Sequence, residues 1–154
     1  MSSHRSGNSL EKKVNDLLRK YYGQNPESYF IEIPPYTTPT GKIVKYKPDH
    51  IIGNLIIESK NALYGGTPQK LADALIRMQI LKGITGKNPI LVYQGESYDN
   101  YIHNSPVTKE IINIIPDVLI VSLTQFEEFL STYVKPVETS MPAEIFNWNN
   151  FYKN

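Results

Sequence analysis

A chain of 154 residues, 40% apolar and 20% charged, is sized for one domain whose core needs no covalent staples. It has no cysteine, which excludes a disulfide framework and any Cys-ligated zinc or iron–sulfur centre. The net charge of +1 argues neither for nor against nucleic acid. No apolar run reaches the roughly 18–20 residues of a membrane span. MSSHRSGNSL carries no signal-peptide core, so an intracellular, cytoplasmic location is expected.

In chain order, NSLEKKVNDLLRKYYG predicts a first helix, with Leu10, Val14, Leu17, Leu18 and Tyr21 at helical spacing and Gly23 ending it. SYFIEI predicts a strand stopped by Pro34 and Pro35; after the turn-rich YTTPTGK, IVKY resumes extended structure. DHII and LIIESK flank Gly53-Asn54, a two-residue hairpin signal. A second helix follows, capped by Thr67, with Pro68 at its first position and Gly83 after its end. PILVY predicts a buried strand, SPVTKEIINII a helix capped by Ser105, and DVLIVS another strand. LTQFEEFLSTYV predicts the last helix, opened by a Ser122/Gln125 capping box.

The order is α-β-β-β-α-β-α-β-α. It implies a single α/β domain over 1–154, with a mixed sheet that opens on an antiparallel three-stranded meander and carries helices on its faces. The aromatic-rich tail, 135–154, is expected to dock on the body.

The chemistry lies in KYKPDHIIGNLIIESK, residues 45–60. A two-residue loop at Gly53-Asn54 pairs Ile52 with Leu55, Ile51 with Ile56, His50 with Ile57 and Asp49 with Glu58. Directly opposed Cβ atoms lie about 4.5–5.5 Å apart. Lys60, two residues beyond Glu58, projects from the same face, whereas His50 and Ser59 turn away. Facing carboxylates repel, and a divalent cation with oxygen ligands removes the conflict; Mg²⁺ is commonly held by one or two carboxylates plus substrate oxygens. The neighbouring ammonium can orient or deprotonate a water, or neutralise phosphate charge. The plainer alternative is a solvated strand face with a Glu58–Lys60 or Asp49–Lys60 ion pair.

Pro48-Asp49, eight residues, then Glu58-Ser59-Lys60 resembles the PD-(D/E)XK signature of the restriction-endonuclease-like nucleases. The resemblance covers about residues 7–95 and implies a restriction-endonuclease-like core. It implies a Mg²⁺-dependent endodeoxyribonuclease, with Mn²⁺ able to substitute. Asp49, Glu58 and the Ser59 carbonyl would hold the metal, and Lys60 would serve the attacking water. Glu11 matches an acidic residue that many members carry on the first helix and use at the metal; Asn8/Glu11 also has capping-box spacing. The segment SKNALYGGTPQKL is similar to one in some type II restriction enzymes, in which Lys70 matches a functional lysine; Gln69 is a weaker candidate.

DNA is the implied partner, through Lys42, Lys45, Lys47, Lys70, Arg77, Lys82 and Lys87, each of which is otherwise a solvated charge. Tyr36, Tyr64 and Tyr93 would stack on bases or pack in the core. His4 and His103 have no partner at metal-ligand spacing, and His50 reads as structural. No segment resembles a target-recognition domain, which leaves a homodimer or a separate specificity subunit open. The alternatives are a structure-selective nuclease of junction-resolvase or repair type, and a catalytically silent DNA-binding module of the same fold. No membrane partner is expected.

Overall fold

The computed structural model describes residues 2–62 and 66–134, with side chains from residue 9 onward except 35 and 36. The elements in chain order are α1 (Ser2–Tyr22), β1 (Ile31–Thr37), β2 (Ile43–Tyr46), β3 (His50–Ile52), β4 (Leu55–Asn61) and α2 (Pro68–Thr85). They continue with β5 (Asn88–Gln94), α3 (Glu96–Asn104), α4 (Pro106–Ile114), β6 (Leu119–Ser122) and α5 (Leu123–Tyr133). The sheet runs β3-β4-β5-β6, with β3 antiparallel to β4 and the remaining pairs parallel. It is the expected mixed α/β sheet.

Two apolar layers sandwich it, because successive side chains of a strand point to opposite faces. On one side Leu55 and Ile57 of β4, with Ile90 and Val92 of β5, pack against Leu10, Val14 and Leu18 of α1 and Phe126, Phe129 and Leu130 of α5. On the other, Ile56 and Leu91 pack against Leu71, Ala74, Leu75, Met78 and Leu81 of α2. β5 is buried through Tyr93, as a strand covered on both faces should be.

The caps follow the sequence closely. Thr67 accepts from the Lys70 amide at 3.2 Å and Ser105 from the Thr108 amide at 3.3 Å. Both capping-box bonds of Ser122 and Gln125 are made. Other boundaries differ. α1 begins at Ser2, so Asn8 lies inside the helix and does not cap it with Glu11. The hydrogen-bonded ladder propagates N-terminally beyond the packed Leu10 turn, each residue adding one bond once the helix is nucleated. α2 runs past Gly83 and stops where Gly86 takes φ 73° and its amide bonds the Lys82 carbonyl. α3 is not among the expected elements; it is nine residues long and its apolar face is one short stripe, Tyr98, Tyr101 and Ile102, less than the window over which a helical period shows.

The expected three-stranded meander is not formed as one ladder. β1 and β2 make a separate two-stranded sheet, while β3 joins the main sheet. Pro48 has no amide to donate, so pairing lapses across Lys47–Asp49. A single antiparallel bridge, Glu27 to Ile51, resumes beyond the gap. β1 also runs through Pro34 and Pro35 rather than ending at them. A two-stranded ribbon tolerates missing donors, and the register slips between Glu32 and Thr37. The expected docking of 135–154 lies outside the described residues, as do Tyr64 and the side chains of His4 and Tyr36.

Candidate active site

The β3–β4 hairpin has the register read from the sequence: His50 opposite Ile57, Ile51 opposite Ile56, Ile52 opposite Leu55. One step further the ladder gives way to side-chain bonds. The Asp49 amide donates to Glu58 Oε1 at 3.0 Å, and the Ser59 amide donates to Asp49 Oδ2 at 2.8 Å. Each carboxylate therefore takes a backbone hydrogen bond from the other's strand. This reciprocal pairing locks Asp49 and Glu58 face to face at the end of the hairpin.

Glu58 is only 5% exposed. Burial first, and the Asp49 carboxylate second, push its carboxyl up to about 7. The Tyr46 hydroxyl, the Asp49 amide and the Lys60 ammonium pull the other way without restoring an ordinary value. An exposed, solvated ion pair does not fit such a site. Glu58 sits in low dielectric next to a like charge, poised to exchange a proton, or a cation, near neutral pH.

Tyr46 is the site residue that the sequence reading missed. Its hydroxyl donates to Glu58 Oε2, and burial followed by the Glu58 charge raises its own pKa. Strict alternation through 45–50 would turn Tyr46 away with His50. The interruption at Lys47–Asp49 resets that parity and brings Tyr46 inward. Arg77 of α2 stacks its guanidinium on the Tyr46 ring at 4.4 Å and pairs with Asp73 one turn away. Arg77, expected to contact DNA, is thus engaged in holding Tyr46 against Glu58.

Lys60 shares the Glu58 face of β4 and acts on its charge. In the parallel ladder it lies beside Tyr93. The Tyr93 hydroxyl donates to Asp99 Oδ1 at 3.2 Å and lies 3.5 Å from His103 Nε2, which is 3.4 Å from the same carboxylate. Burial, then Asp99, raises Tyr93 to about 12. Tyr93 is therefore a buried, bonded residue, and His103 has Asp99, one helical turn earlier, and Tyr93 as hydrogen-bond neighbours. Lys60 and Tyr93 stand toward the carboxyl ends of parallel strands, where open α/β sheets bind ligands.

The other expected site residues are more dispersed. Glu11 is half-buried on α1, which packs on the Ile57 face of the sheet, opposite to Glu58. No third His, Cys, Asp or Glu joins Asp49 and Glu58 in a metal-sized group among the described residues. Ser59 Oγ and His50 Nε2 are buried on the α1 side without a hydrogen-bond partner, and burial lowers the His50 pKa. Gln69 and Lys70 are exposed in the first turn of α2. Lys82 bonds Asn88 Oδ1 at the start of β5 at 3.2 Å, and Lys87 bonds the Gly53 carbonyl at 2.7 Å and so tethers the turn of the hairpin. Lys45 and Lys47 lie over the Phe30 ring.

Comparison of the chain with protein-family models, with curated proteins and with solved structures finds no match. Among the described residues, no helix is long and apolar enough to cross a membrane.

Proposed function

We propose that this chain is a Mg²⁺-dependent DNA endonuclease with a restriction-endonuclease-like core, Mn²⁺ substituting for Mg²⁺. The observation that carries the reading is the Asp49–Glu58 pair. Two carboxylates are fixed face to face by amides of the facing strands, that of Asp49 on Glu58 and that of Ser59 on Asp49, with Glu58 buried and its pKa raised, and with Lys60 on the same face. Such an arrangement costs stability in the absence of a counter-charge.

The donor set suits a hard divalent cation. Two carboxylates, with the Ser59 carbonyl that the PD-(D/E)XK resemblance adds, leave the remaining positions to water and a phosphate oxygen, the kind of coordination Mg²⁺ favours. When bound, Mg²⁺ would supply Lewis-acid polarisation of the phosphate and a water of lowered pKa. The chain's own residues do the rest. Asp49 and Glu58 fix the position at which negative charge is met. Tyr46, steadied by Arg77, orients Glu58 and helps hold it ionised. Lys60 positions the attacking water by hydrogen bonding and offsets charge building on the phosphate. The water oxygen bonds to phosphorus as the bridging P–O bond breaks, and the departing oxygen takes up a proton.

The test is cleavage of supercoiled plasmid and of single-stranded circular DNA in Mg²⁺ or Mn²⁺, with Glu58→Ala prepared identically. Cutting by the wild type that the variant lacks is the expected result. Equal cutting by both would move the chemistry elsewhere. No cutting of either substrate would favour a silent DNA-binding module.

A further inference from the structure

We infer that the outer face of the β1–β2 ribbon is a stacking platform for an unpaired nucleobase, centred on Phe30, so that the substrate is DNA with single-stranded character. This rests on the nuclease reading above and names the substrate of the same site.

Phe30 is 58% exposed, with Tyr29 and Ile43 also well exposed on or beside the ribbon. Lys45 Nζ lies 4.8 Å and Lys47 Nζ 5.6 Å from the Phe30 ring centroid. The ladder explains the grouping. Ile31 faces Tyr46 and Glu32 faces Lys45, and alternation then puts Phe30, Lys45 and Lys47 on one face. The other face, with Ile31 and Tyr46, packs on the core beside α2. Neither lysine is in a salt bridge among the described residues. Lys47 precedes Asp49 by two residues, at most about 7 Å along the backbone, so the platform, on the opposite face of the ribbon from Tyr46, begins within two residues of the carboxylate pair.

The chemistry of the patch selects the substrate. Duplex binding draws mainly on phosphate neutralisation, which needs several unopposed cations. Here two lysines share their face with Glu32, and the distinguishing feature is a flat, exposed aromatic ring. Base faces are hidden in a duplex and available in a single strand, where stacking on an aromatic residue is insensitive to sequence and adjacent cations follow the backbone.

The experiment measures binding of a labelled oligothymidine and of a duplex of equal length, in Ca²⁺ in place of Mg²⁺. The proteins are wild type, Phe30→Ala, Phe30→Leu and Phe30→Trp, each also assayed for Mg²⁺-dependent cutting. The wild type should prefer the single strand. Phe30→Ala and Phe30→Leu should weaken single-strand binding about tenfold and duplex binding less than about twofold, while Phe30→Trp retains it. Unchanged single-strand binding by Phe30→Ala, or equal loss on both substrates, would overturn the platform. If the wild type still cuts DNA, that result leaves the nuclease reading standing. A wild type that neither cuts nor binds DNA would remove both.

Discussion

Two hairpins in this chain carry similar apolar and charged residues and have opposite environments. In β3–β4, Ile51, Ile52, Leu55, Ile56 and Ile57 are buried and the ladder is regular up to the Asp49–Glu58 pair. In β1–β2 the strands carry prolines and a register slip, and Ile43 and the adjoining Phe30 are exposed. The difference is what each hairpin is paired to. β4 is an interior strand flanked by β3 and β5 and covered by helices on both faces, which fixes every side chain's direction. The ribbon has only itself and one face of the core. The rigid hairpin positions carboxylates; the ribbon leaves one face exposed, proposed above to meet the substrate, and its inner face delivers Tyr46.

The widest gap between the two should appear in stability. Ile57→Ala removes a fully buried side chain from the shared core and should cost about 2–5 kcal/mol by urea denaturation. Ile43→Ala, on the ribbon's exposed face, should stay within about 0.5 kcal/mol. Similar losses at both positions would mean that the ribbon is as much a part of the cooperative core as β4.

A smaller effect, on the order of 1–3 kcal/mol, should separate the wild type from Glu58→Gln, and it should depend on pH. Glu58 titrates near 7 when folded, against an ordinary value of 4.5. Below about pH 4.5 both states are protonated and the group costs nothing. Between about pH 4.5 and 7 the unfolded chain ionises the carboxyl while the fold still holds it protonated, so stability falls across that window; above 7 both are ionised and the full cost of a buried charge beside Asp49 remains. Without divalent metal, Glu58→Gln should therefore melt higher than wild type at pH 8, with the gap narrowing as pH falls toward 5. A pH-independent difference would place the effect in packing rather than charge.

The contrast between the hairpins also explains what could be read in advance. The register of β3–β4, the Asp49–Glu58 opposition and the shared Lys60 face follow from a Gly53-Asn54 turn and a period of two, because burial leaves one register only. The Thr67, Ser105 and Ser122 caps are equally local and were equally legible. What escaped depends on contacts distant in sequence. Tyr46 reaches Glu58 only because the ladder lapses at Pro48, and Arg77 is committed to Tyr46 only once α2 lies over β2. Lys45 and Lys47, placed by composition among cations leading to the site, instead flank Phe30 on the other side of the ribbon. The split of the expected meander has the same origin, since one proline decides whether β2 continues into β3.

The measurement that bears most directly on the site is calorimetric titration of Mn²⁺ at pH 8 and pH 6 into wild type, Glu58→Gln and the Lys45→Ala/Lys47→Ala double variant. Binding should be lost in Glu58→Gln, kept in the lysine variant, and about tenfold weaker at pH 6 than at pH 8 in the wild type, because a carboxyl titrating near 7 must release its proton to take a cation. Equal binding by wild type and Glu58→Gln, or none by the wild type at pH 8, would contradict a cation site built on Asp49 and Glu58.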